Sequence, residues 1–111
     1  MATNLLTTGL EIGGDKVTAH AWAHFDGPSG TSQVDYGVSG ISDQATGTHR
    51  VTFATAMSTA DYAVSFCGVS SQYQYATAEL PTTAKVDVVN KQIHTHNYTD
   101  YNSTSVIVFG D

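Results

Sequence analysis

Val17-Thr18-Ala19-His20-Ala21-Trp22-Ala23-His24-Phe25 alternates small or apolar residues with polar or aromatic ones along its whole length. A period of two is the signature of a β-strand, because successive side chains leave a strand on opposite faces. The face with Val17, Ala19, Ala21, Ala23 and Phe25 leaves room for a bulky neighbour, and the other sets Trp22 between His20 and His24. Asp26-Gly27-Pro28-Ser29-Gly30 ends the run, since Pro28 cannot donate to a ladder and the glycines supply turn conformations.

Further runs of the same kind follow. Gln33–Val38 reads as a short strand closed by Gly37 and Gly40, before a polar loop around Asp43–Gly47. Thr48–Ala54 reads as a half-buried strand with Val51 and Phe53 on one face and His49, Arg50 and Thr52 as polar neighbours. Thr55–Asp61 has no strand period and reads as a connection whose Met57 tucks into the core edge. Asp61–Val69 alternates Tyr62, Val64 and Phe66 against Ala63, Ser65 and Cys67, the best core strand, with Cys67 as a small buried hydrophobe. Ser70–Thr83 is either an edge hairpin or a long exposed loop. Lys85–Val89 and Gln92–His96 are two strands around a turn at Asn90-Lys91, or one strand with a bulge there. Ser105–Phe109 closes the series.

No helical period is sustained, so the spacing of strand and turn signals predicts an all-β fold, an antiparallel, jelly-roll-like β-sandwich of about seven strands. It occupies residues 17–111 as a single domain. Residues 1–16 place Leu5, Leu6, Leu10 and Ile12 among Gly9, Gly13 and Gly14, which suits an N-terminal arm that docks on a neighbour or a first edge strand.

Composition narrows the function classes. A chain of 111 residues and 11.7 kDa forms one domain. Its 4 Lys and Arg against 10 Asp and Glu give a charge of -6, so no basic stripe is available for nucleic acid or an anionic membrane face. Charged residues make up 13%, against about 25% in typical soluble domains, and Ser and Thr supply about a quarter of the chain. The single Cys67 excludes an intrachain disulfide and any CxxC pair. Met1–Asp15 contains no Lys or Arg and no apolar run of signal-peptide length, and no stretch approaches the roughly 18 apolar residues of a membrane span. The expectation is synthesis in the cytoplasm without membrane insertion, with any outside role reached by lysis or within a particle.

Three stretches, in order, carry a resemblance. Trp22-Ala23-His24-Phe25-Asp26-Gly27 resembles a Trp-x-x-Phe-Asn/Asp-Gly element of bacteriophage tail-fibre and related virion domains. Arg50 to Val64, with Val51, Phe53, Met57, Tyr62 and Val64 in place, is similar to their Val-x-Phe-x-x-x-Met-Pro-x-x-x-Tyr-x-Val run, with Ser58 where that run has Pro. Val106-Ile107-Val108-Phe109-Gly110-Asp111 resembles the strand and Gly-Asp ending of many such chains. The resemblance covers nearly everything after Lys16. It implies a non-enzymatic virion structural protein, a short tail fibre or tail-tip adhesin that assembles as a homotrimer, contacts other virion proteins and touches the host surface. The missing fibre shaft keeps a capsid decoration protein open as an alternative, and a free carbohydrate-binding module is a third reading.

Enzymatic chemistry finds little footing. Gly37-Val38-Ser39-Gly40 is not a GxSxG elbow, and nothing in the sequence brings Asp61, Glu79 and Asp87 together as a carboxylate pair. A small hydrolase is therefore the last of the readings, and no cofactor is expected. His94-Thr95-His96 would project two imidazoles to one face of a strand, which suits either an ion or two exposed histidines; no metal is assigned. Tyr73, Tyr75, Tyr98 and Tyr101 lie in polar, loop-like segments and are the candidate ligand-binding residues. A tyrosine ring offers a sugar an apolar face and a hydroxyl, as a host-surface glycan requires, and it equally suits packing across a hairpin or subunit interface.

Overall fold

The computed structural model describes residues 3–6, 9–13, 15–16, 18–69, 74–101 and 103–110. Three short strands, β1 (Thr3–Leu6), β2 (Gly9–Ile12) and β3 (Asp15–Lys16), pair with one another as a small antiparallel sheet. Eight more follow: β4 (Ala21–Asp26), β5 (Thr31–Tyr36), β6 (Val38–Ala45), β7 (Thr48–Phe53), β8 (Ala63–Val69), β9 (Gln74–Glu79), β10 (Lys85–Gln92) and β11 (Ser103–Phe109). They form two antiparallel sheets in the orders β5-β4-β11-β8 and β6-β7-β10-β9, packed as a β-sandwich. Among the described residues no helix is long and apolar enough to cross a membrane.

The alternation of the sequence becomes the inner lining of the sandwich. Ala21, Ala23 and Phe25 of β4 meet Val106 and Val108 of β11 on one sheet; Val51, Phe53, Val86 and Val88 supply the other, and Met57 closes the edge. The small Ala21 and Ala23 side chains leave space for the larger groups opposite, as dense packing requires. Tyr62 fastens the loop before β8 by donating to the carbonyls of Thr82 (3.0 Å) and Lys85 (2.9 Å).

Several expectations are corrected. The strand expected over Val17–Phe25 begins at Ala21: His20 leaves the Trp22 face, donates from Nε2 to the Thr55 carbonyl at 2.7 Å and sets its ring 5.5 Å from that of Phe53. The expected loop at Asp43–Gly47 is largely strand, because β6 runs on to Ala45 with register shifts at both ends. The first shift changes the parity, so Val38 and Ile41 both pack against the core despite their odd spacing. Asp61–Val69 is an edge rather than a central strand, and Val64 and Phe66 are only partly buried. Residues 85–92 make one continuous strand, and Ile93 to Thr95 turn away from it. The side chain of Cys67 lies outside the described residues.

At one end the core becomes polar. His49, Asn90 and Thr104 are all fully buried, and Tyr101 is nearly so. His49 follows the parity of Val51 and Phe53, so it points inward instead of serving as a polar neighbour. Its Nε2 donates to the Gly27 carbonyl at 2.8 Å, while Gly27 N donates to the Tyr101 carbonyl at 2.8 Å. Asn90 N donates to the Gly47 carbonyl at 2.8 Å, and Asn90 Nδ2 lies 3.4 Å from Thr104 Oγ1. The loop after β4, the β6–β7 turn and the segment before β11 are thus tied together over this layer.

Candidate functional site

Two surfaces bear on function. The first lies where β10 leaves its sheet. Lys91 stands opposite Tyr75 of β9 in the register and forms a bridge with Tyr98 on the returning chain. The return is a tight loop: His96 N donates to the Gln92 carbonyl (2.8 Å), Gln92 N to the Asn97 carbonyl (3.0 Å), and His96 adopts a φ of 57°. That left-handed conformation is uncommon for a non-glycine residue, though histidine adopts it more readily than most. It brings the imidazole to Tyr75, with the hydroxyl 3.0 Å from Nδ1 and the rings 5.9 Å apart at 69°. Lys91 Nζ sits 4.8 Å from the centre of the Tyr98 ring, a cation–π distance.

The fold therefore gathers Tyr75, Lys91, His96 and Tyr98 and separates them from Tyr101. Tyr98 is 53% exposed and Tyr101 only 5%, so Tyr101 belongs to the core and is withdrawn from the set of ligand-binding tyrosines. Tyr73 lies outside the described residues. The sequence weighs His96 only with His94 as an imidazole pair for an ion and Lys91 only as part of a turn, because the pairing that sets both beside the tyrosines follows the β10 register, which no local pattern announces. His94 and His96 do not share a strand face, since both follow the end of β10. Among the described residues no group of three or more His, Cys, Asp or Glu is arranged to hold a metal.

Charge distinguishes Lys91 from its neighbours. Arg50 Nε lies 2.9 Å and Lys85 Nζ 3.4 Å from the Asp87 carboxylate, whereas no ion pair engages Lys91 among the described residues. Burial pushes the Asp87 carboxyl up, but the Arg50 hydrogen bond and the Lys85 and Arg50 charges outweigh it and hold the group below its ordinary value. A carboxylate lowered in the folded state stabilises fully above its unfolded pKa and loses that contribution as pH falls through the folded value. Thermal stability should accordingly hold down to about pH 4 and fall below it, and Asp87→Asn should lower the neutral-pH stability by roughly 1–3 kcal/mol while flattening that acid limb. Melting temperatures recorded against pH for both proteins check this; a parallel acid limb in the variant would exclude Asp87 as its source.

The second surface is the outer face of the β5-β4-β11-β8 sheet. Trp22 pairs with Tyr36 and Ile107, and His24 with Val34 and Ser105, so these side chains share one face. The Trp22 and Tyr36 rings lie 6.3 Å apart and within 20° of parallel, and His24 Nδ1 is 2.7 Å from Ser105 Oγ. Phe109 extends the patch opposite Ala63. Comparisons with protein-family models, curated proteins and solved structures found no match to this chain.

Proposed function

We propose that this chain is a non-enzymatic bacteriophage virion protein, a short tail fibre or tail-tip adhesin that works as a homotrimer and touches the host surface. The observation that carries the adhesive role is the cluster of Tyr75, Lys91, His96 and Tyr98 at one end of the sandwich, which combines an exposed ring, hydroxyl and imidazole groups and a lysine that lies against the Tyr98 ring with no carboxylate partner among the described residues. Rings take the apolar face of a sugar, and the polar atoms beside them take its hydroxyls. The three sequence stretches that resemble tail-fibre domains supply the virion setting.

Tyr98→Ala is expected to weaken binding of the purified protein to host cells by about tenfold, corresponding to roughly 1.4 kcal/mol, with no change in melting temperature because the ring is exposed. Tyr101→Ala should do the reverse, lowering the melting temperature through loss of a buried ring. Unchanged binding by Tyr98→Ala would remove the adhesive role from this cluster.

A capsid decoration protein is the second reading, favoured by β1–β3, which pair among themselves and suit a separate clamp. Cryo-electron microscopy of the purified particle tests the pair. Density at the tail supports the adhesin, density spread over the capsid supports the decoration protein, and absence of the chain from particles overturns both.

A further inference from the structure

We infer that the cluster of Tyr75, Lys91, His96 and Tyr98 takes a sugar that bears a carboxylate, and that Lys91 selects for it. The inference rests on the adhesive role proposed for this cluster and names the class of its ligand. The register builds the site as a row, in which Lys91 stands between Tyr75 of β9 on one side and Tyr98 of the returning chain on the other. Directly opposite residues leave a sheet on the same face, and Asn90, the preceding position, is buried in the core, so Lys91 and both rings lie on the outer side. Neighbouring segments about 4.8 Å apart set the two tyrosine positions roughly 10 Å apart, with the lysine between them. His96 steadies Tyr75 at one end of the row, with its Nδ1 3.0 Å from the hydroxyl.

Lys91 is the cation that this face leaves over. Arg50 and Lys85 on the same outer face both close on the Asp87 carboxylate, whereas no Asp or Glu occurs in 62–78 or 88–99, the stretches that carry the row. The next acidic residue along the chain, Asp100, is engaged by Gly47 N, which donates to its Oδ1 at 2.6 Å. Glu79 of β9 stands four residues from Tyr75, about 13 Å along the strand. The net charge of -6 repels an anion from the molecule as a whole, but it is screened beyond a Debye length of about 8 Å at physiological salt, so an arriving group responds to the local sign.

The contact that holds Lys91 is one that an acidic sugar can replace. Its Nζ lies 4.8 Å from the centre of the half-exposed Tyr98 ring, and a cation–π contact of that kind is weaker than a charge-assisted hydrogen bond from ammonium to carboxylate. By moving to a carboxylate the ammonium uncovers the face of Tyr98, which then stacks on the apolar side of the sugar that carries the charge. One movement thus pairs the cation and opens the aromatic platform. A neutral sugar offers the ammonium only hydroxyls, and a free carboxylate offers Tyr98 no ring, so each satisfies half of the site.

The test is binding of the full chain to immobilised polygalacturonate, alginate and hyaluronan, and to the carboxyl-reduced form of each, which keeps rings and linkages and turns each carboxylate into a hydroxymethyl group. The wild type is expected to hold at least one acidic form about tenfold more tightly than its reduced partner. Lys91→Gln should lose that preference with no change in melting temperature, and Lys91→Arg should keep it. Lys85→Gln removes an equal charge from the Asp87 pair and should keep the preference too. Equal binding of acidic and reduced forms, no binding to any acidic form, a preference that survives Lys91→Gln, or the same loss in Lys85→Gln overturns the inference. The adhesive role is judged separately, by Tyr98→Ala on host cells. Weakened cell binding without an acid preference leaves the cluster as a site for neutral sugars, and unchanged cell binding removes both.

Discussion

Phe25→Ala is expected to lower the unfolding free energy by about 3–5 kcal/mol, a large share of the roughly 5–15 kcal/mol that holds a domain together. The ring is fully buried where β4 shifts register between His24 and Phe25, and it lies 5.1 Å from the His49 ring. Its removal costs the transfer energy of the lost carbons and opens a cavity between two sheets whose strands cannot collapse inward without breaking their ladders. The cavity would adjoin the polar end of the core, where His49 Nδ1 is buried without a hydrogen-bond partner among the described residues. Water entering there would relieve part of the loss, so the cost should sit near the lower end of the range. Phe25→Leu keeps most of the volume and should cost clearly less. Urea unfolding midpoints of the two variants check the order, and equal values would show that the ring's volume is not what matters.

Gly47→Ala should cost about 3 kcal/mol or more, from two separate penalties. Gly47 has a φ of 75°, a conformation that a Cβ disfavours. A Cβ built there would stand 2.7 Å from both the Asn90 carbonyl oxygen and the Thr99 nitrogen, which are backbone atoms and cannot swing aside. Accommodation would pull apart the bond from Asn90 N to the Gly47 carbonyl and the 2.6 Å bond from Gly47 N to Asp100 Oδ1. Because Asn97 to Tyr101 would shift as well, Tyr98 should be displaced, and cell binding should fall together with the melting temperature. Retained binding in a destabilised Gly47→Ala protein would show that the Tyr98 loop holds its shape without this anchor.

The fold was legible where parity is undisturbed. Ala21, Ala23 and Phe25, or Val51 and Phe53, declare a buried face because no other pattern puts apolar side chains at every second position. Legibility failed where a bulge changes the parity, as in β6, and where residue type misleads, as with His49. A histidine beside Arg50 reads as solvent-facing, yet counting back from Phe53 and Val51 in steps of two reaches His49 and would have placed it inside. The site was half legible. Exposed Tyr98 and strand-borne Tyr75 can be suspected from their polar settings, but the long-range pairing that sets them around Lys91 has no local signal. Tyr101 has the same kind of neighbours as Tyr98 and the opposite fate, decided by the Gly27 contact far away in sequence.

The placement of β11 has a consequence for the order in which the molecule can be made. This strand lies between β4 and β8, pairing Ile107 with Trp22 on one side and Ser65 on the other, so its sheet is two separate fragments until residues 103–109 arrive. The β6–β7 and β9–β10 pairs can zip locally as the chain grows, whereas inserting β11 must close a loop spanning most of the domain, the slow kind of step in folding. Ile107 and Phe109 are carried by β11 itself, so a growing chain lacks the complete outer face of this sheet until synthesis has passed them. The β5-β4-β11-β8 sheet is therefore the later of the two to be completed, and β11 is the strand that joins its two halves.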